Sequence, residues 1–251
     1  MYVRWKLLFL IGICLGMPKA CNHGVPLMGV SEPLQTQACE DRDFSEWHGG
    51  CPWCAVWVVR VDGTKVQALM DPLRTAIQPW LLPRYERQPH VTVAYRGLMV
   101  DAHPLHACPT AVFGTAQLGA DIAALQAAGL APFSLMLQGV GSFSTVPYLA
   151  VMANAFLQQA HDAVVASEPY PGWSYVPHLT LGHYACQVPM EVVLQQLQAC
   201  AAKTAALPVS VDALWLARYR TNDIAGALHF EGRFDLRTQI YHTEPGALMV
   251  L

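Results

Sequence analysis

Two short runs, Pro89-His90-Val91-Thr92-Val93 and Pro177-His178-Leu179-Thr180-Leu181, each place a histidine and a threonine one apolar residue apart behind a proline. Imidazole, with an ordinary pKa of about 6.5, gives or takes a proton near neutrality. Two imidazoles on opposite sides of a phosphorus atom supply what in-line displacement needs, a base on the attacking oxygen and an acid on the leaving oxygen. Threonine hydroxyls suit the nonbridging oxygens. Charge building on the phosphate is met by hydroxyls, imidazolium and backbone amides, so this chemistry calls for no metal and no cofactor. A single copy reads most simply as a structural His/Thr pair. The repetition carries the signal, with His90 and His178 as candidate acid and base and Thr92 and Thr180 as candidate phosphate ligands.

The elements that must hold these side chains can be read from periodicity. In a strand, HxT puts ring and hydroxyl on one face while Val91 and Val93, or Leu179 and Leu181, point to a core. The prolines precede the strands, where no ladder hydrogen bond is lost. Strands are expected at 55–61, 90–97 and 133–140 and helices at 65–77 and 118–128; then strands at 148–152, 178–185 and 207–217 and helices at 154–167 and 190–203. The second half repeats the order of the first, and His178 follows His90 by 88 residues. A pseudo-twofold duplication follows. The expected fold is α+β: one bilobal domain over 38–251, lobe 1 about 55–141 and lobe 2 about 146–236, with two antiparallel sheets flanking a central groove and helices outside.

The paired motifs resemble those of the 2H phosphoesterase superfamily, in particular its bacterial 2′-5′ RNA ligase-like and RNA 2′,3′-cyclic phosphodiesterase branch. The resemblance runs from about Ala55 to Phe234 and extends to Gly139-Val140-Gly141-Ser142-Phe143 ahead of the strand led by Pro147. Gly182 keeps the family's trailing glycine, whereas the first copy has Ala94 there. The resemblance implies metal-independent hydrolysis of 2′,3′-cyclic phosphate ends of RNA or of small cyclic nucleotides, with reversible 2′-5′ joining as the related reaction. It also implies that His90 protonates the leaving oxygen and His178 activates water.

Continuing period two outward adds Arg96 to the face of His90 and Tyr184 to the face of His178, the first as a phosphate clamp and the second as a base-stacking ring. Tyr175 and Trp173, on the loop entering the second motif, are candidates for a lid over a nucleobase. The same alternation turns His183 away from the site. His161 and His229 read as solvated, and His48 as marginal.

Composition bounds the substrate. With 15 Lys+Arg against 18 Asp+Glu and no basic run, the chain is not built to neutralise a long duplex. A charged fraction of 13% and a hydrophobic fraction of 53% indicate a large buried core, and a monomer is expected. Residues 1–37 read as a leader or unstructured extension: Arg4 and Lys6 precede an apolar run over 7–17, shorter than the roughly 20 residues of a membrane span. A cytoplasmic enzyme is expected, with export or anchoring through 1–21 as the alternative. Among eight cysteines, Cys51-Pro52-Trp53-Cys54 could form a redox pair or half a metal site, with His103, His106 and Cys108 as further ligands. That rival, a Cys/His metal or redox protein, stands beside a third: a non-catalytic nucleotide- or RNA-binding module on the same groove.

Overall fold

A computed structural model describes residues 34–100, 112–165 and 175–249. Five strands form one antiparallel sheet in the order β2-β1-β7-β8-β9: β1 (Trp53–Arg60), β2 (His90–Leu98), β7 (Ala213–Arg220), β8 (His229–Asp235) and β9 (Ile240–Thr243). Four form the second, in the order β5-β4-β3-β6: β3 (Phe133–Ser142), β4 (Pro147–Val151), β5 (His178–Thr180) and β6 (Leu207–Val211). The helices are α1 (Ser45–His48), α2 (Thr64–Ile77), α3 (Thr115–Ala128), α4 (Ala155–Val165) and α5 (Met190–Ala201). The α+β architecture with two antiparallel sheets is as expected.

Local sequence accounts for the main elements. β1 is a run of Val, Trp, Ala and Cys buried on both faces, as a strand inside a two-sided core must be. On α2 the buried residues Val66, Leu69, Met70, Leu73 and Ile77 recur at helical spacing and form one apolar stripe. Gly129 ends α3 in the left-handed conformation. The main core joins both sheets, running from Trp57 and Val91 through Leu135 and Leu149 to Leu179.

Each half does begin with a strand-helix-strand unit, but the third strand of the first half, β3, and the fourth of the second, β7, cross to the other sheet. A short loop joins β3 to β4 as a hairpin, which puts β3 in the sheet of the second half. The expected single strand over 207–217 is instead two: β6 stays with β3, and after Asp212 the chain enters the other sheet as β7 beside β1. Lobes drawn as the continuous stretches 55–141 and 146–236 are therefore not the structural lobes. The motif strand expected over 178–185 ends at Thr180. At the other end of the chain, residues 34–37 are not unstructured: Gln35 bridges Pro189, the Thr36 amide donates to the Val188 carbonyl, and the Thr36 hydroxyl donates to the Cys186 carbonyl and accepts from the Val188 amide.

The topology positions the motifs. β2 is an edge strand of the first sheet and β5 of the second, and these two edges lie against one another.

Candidate active site

A cleft forms where the edges meet, lined by His90, Thr92, His178 and Thr180. Both HxT pairs thus enter one site from different sheets. Each histidine opens its strand, and each ring is fixed the same way. His90 Nδ1 lies 2.7 Å from the carbonyl of Gln88, and His178 Nδ1 lies 2.7 Å from the carbonyl of Val176. A carbonyl only accepts, so each neutral ring carries its proton on Nδ1 and leaves Nε2 as the unprotonated nitrogen. Thr92 and Thr180 are half-buried, and neither hydroxyl has a protein partner among the described residues.

Electrostatics hold both rings neutral. Burial pushes the pKa of His90 down to about 4, against the pull of its bond to Gln88, and the charges of Arg87 and His178 push in the same direction. Burial likewise lowers His178, although its bond to Val176 favours the charged form. His178 is boxed by aromatic rings, Phe143 and Tyr148, each with its centroid 5.2 Å away. Tyr148 reaches that position over the backbone of Gly141, its register partner; a Cβ there would collide with the phenol. The hairpin noted in the sequence, Gly139 to Phe143, therefore serves the second histidine directly.

The family model described as the 2′-5′ RNA ligase superfamily matches residues 99–223, a span that holds the second motif. Over those residues the chain carries a 2′-5′ RNA ligase superfamily domain. Among solved structures it is similar to Escherichia coli LigT complexed with 3′-AMP, at 13% identity over 73% of this chain and 98% of that one with a TM-score of 0.47. A phosphoesterase is similar at 14% identity over 66% and 88% with a TM-score of 0.38. Kluyveromyces marxianus Usb1 with uridine monophosphate is similar at 13% identity over 72% and 97% with a TM-score of 0.39. No curated protein matches the chain.

Three other residues expected at the site lie outside the cleft lining. Arg96 is buried and pairs with Asp121, its Nε 2.8 Å from Oδ2 and its Nη2 2.9 Å from Oδ1, while Trp57 donates to the same carboxylate. The cause is two bulges in β2. Val58 faces Thr92 but Trp57 faces Ala94, and Val56 faces Tyr95 but Ala55 faces Gly97, so Val93 and Arg96 are extra residues. Tyr95, not Arg96, follows Thr92 onto the cleft wall. Tyr184 is fully buried and bonds Ser142 Oγ at 2.6 Å. Tyr175 lies flat on His161, with ring centroids 4.0 Å apart, and donates to the carbonyl of Thr92 at 2.8 Å. It braces the motif strand from behind. His161, read as solvated, is buried and bonds the carbonyl of Val93 at 2.7 Å, the next carbonyl along.

The cleft contains residues the sequence did not reveal. Because β5 stops at Thr180, alternation fails beyond it and His183 lines the cleft, with its Nδ1 buried and unpaired among the described residues. Burial, reinforced by Arg87, pushes His183 down to about 3. Arg87 enters from the coil before β2. Its guanidinium donates to the carbonyls of Ile224 at 3.0 Å and Gly226 at 3.3 Å and lies 4.5 Å over the ring of Tyr219. No carboxylate pairs with it among the described residues, which leaves a positive charge on the cleft wall.

The CxxC segment is neither a redox pair nor a chelate: Cys51 is disulfide-bonded, while Cys54 is free and buried, its thiol pushed up to about 11. His103, His106, Cys108 and Trp173 lie outside the described residues. Among those described, no group of His, Cys, Asp and Glu could hold a metal ion. His48 is buried against Asp43, away from the cleft, and His229 is exposed beside Trp53. Among the described residues no helix is long and apolar enough to cross a membrane.

Proposed function

We propose that this protein hydrolyses a 2′,3′-cyclic phosphate, at the end of an RNA or on a small cyclic nucleotide, by paired general acid and base catalysis without a metal. One observation carries the reading: two imidazoles, each with Nδ1 spent on a carbonyl and Nε2 left over, share a cleft with two unpartnered threonine hydroxyls.

In this mechanism Thr92 and Thr180 donate to the nonbridging oxygens, and the phosphate charge is further met by Arg87. His178 Nε2 takes a proton from water as the water oxygen bonds to phosphorus. On the opposite side the ring P–O bond breaks and the departing ribose oxygen takes a proton from His90 Nε2. The assignment of acid and base follows the family resemblance. Rings held neutral before binding need one proton to begin, and the arriving phosphate monoanion favours the imidazolium that carries it. Attack by a ribose hydroxyl in place of water would run the same geometry toward 2′-5′ joining.

The test is product analysis with purified protein and RNA ending in a 2′,3′-cyclic phosphate, in the presence of EDTA. Turnover should survive the chelator, and His90→Ala and His178→Ala should each lower kcat by about a hundred- to ten-thousand-fold. Wild-type turnover in both variants would sink the assignment.

A further inference from the structure

The cleft wall formed by the first sheet does not stop at the motif strand. Cross-strand partners share a face, and two rows run outward from β2 on the face of the catalytic ring: Thr92, Val58, Trp215 and Arg233, then Tyr95, Val56, Ala217 and Phe230. A bulge in β8 at Glu231 keeps Phe230 and Arg233 on that one face. Arg60, the register partner of His90, lays its guanidinium 4.7 Å over the ring of Trp215 and 4.4 Å over that of Phe230. The Arg233 guanidinium lies 5.9 Å from Trp215. Two strand spacings, roughly 10 Å, separate Thr92 from Trp215.

We infer that the Trp215–Phe230–Arg60–Arg233 surface is a subsite for single-stranded RNA, binding the nucleotides that precede a cyclic-phosphate end held between His90 and His178. The inference rests on the proposed function and narrows its substrate to oligonucleotides. Three observations converge. The cleft lies between the facing edges of β2 and β5, so a strand longer than its reacting end continues along a sheet face outside it. That sheet offers half-buried aromatic rings interleaved with guanidinium planes, the surfaces on which unpaired bases stack. It also carries charge of the right sign. Arg233 is exposed and bonds no carboxylate among the described residues. Arg60 pairs with Asp62, while Asp235 spends one carboxylate oxygen on the amides of Arg237 and Thr238. The chain's slight net negative charge is thus compatible with a local basic face restricted to a few nucleotides.

The experiment compares a nucleoside 2′,3′-cyclic phosphate with a trinucleotide bearing the same end. In Trp215→Ala, kcat/KM on the trinucleotide should fall about tenfold, mostly through KM, while the mononucleotide is unaffected. Arg233→Ala, at an exposed position that tolerates truncation, should lower the trinucleotide value by a smaller factor and weaken its dependence on salt. Equal losses on both substrates, or none on the trinucleotide in either variant, would overturn the subsite. If the wild-type protein turns over neither substrate, the proposed function fails separately. Fluorescence titration with a 3′-phosphorylated trinucleotide then decides the surface: weaker binding in both variants supports it, and unchanged binding rejects it.

Discussion

His90 and His178 make the same hydrogen bond from the same nitrogen to the carbonyl two residues upstream, Gln88 in one case and Val176 in the other. The entry of the chain into each motif strand is thus duplicated down to a single acceptor. Nitrogen-15 NMR of the free protein at pH 7 should therefore show both rings neutral, with the proton on Nδ1. An imidazolium signal from either ring at that pH would contradict the arrangement.

Acid should loosen the fold. His90 and His183 are held neutral in the folded chain down to about 4 and about 3, whereas in the unfolded chain they take protons near 6.5. Below that pH the unfolded state binds more protons, so stability is fully present above about 6.5 and declines as pH falls toward the folded values. Urea unfolding at pH 7 and pH 4.5 should show the loss, and His183→Gln should shrink it. An equal loss in that variant would remove His183 from the account.

Arg96 should matter for stability and not for substrate. Replacing it with Met leaves the Asp121 carboxylate buried with Trp57 but without its cation. Breaking a buried pair from one side costs about 3–5 kcal/mol. Thermal unfolding should register that loss, while KM at a temperature where the variant is folded stays near the wild-type value. A raised KM with undiminished stability would return Arg96 to the phosphate.

Tyr175→Phe removes a single hydrogen bond, the one to the Thr92 carbonyl, and keeps the ring that stacks on His161. The stability cost should be about 1 kcal/mol. Because that bond braces the backbone of a phosphate ligand, KM should rise several-fold with little change in kcat. Unchanged kinetics would reduce Tyr175 to packing.

Gly141→Ala tests the hairpin. The added methyl displaces Tyr148, which packs against His178, so kcat should fall even though the substituted position bears no reactive group. Full activity would show that the phenol does not hold the ring.

How legible this site was depends on where local rules hold. His90, Thr92, His178 and Thr180 sit at strand starts behind proline, where period two is reliable, and those four line the cleft. The two errors made by extending the motif faces lie where the period breaks. Bulges at Val93 and Arg96 exchange Arg96 for Tyr95, and the stop after Thr180 exchanges Tyr184 for His183. Arg87 lies in coil, where no periodicity points, and its role depends on carbonyls more than a hundred residues away. The crossing at Asp212 did leave a trace that the expected single strand over 207–217 ran past: the inward positions are odd-numbered in β6, ending at Val211, and even-numbered at Leu214 and Leu216 in β7.

That crossing, with the hairpin that carries β3 away, leaves each sheet built from both halves: β7, β8 and β9 complete the sheet of β1 and β2, and β3 completes that of β4 and β5. A fragment ending near residue 146 would own β3 without the sheet it belongs to, and the remainder would own β7, β8 and β9 without β1 and the motif strand β2. Neither half closes a sheet alone, so the groove that brings His90 and His178 together exists only where both are folded as one.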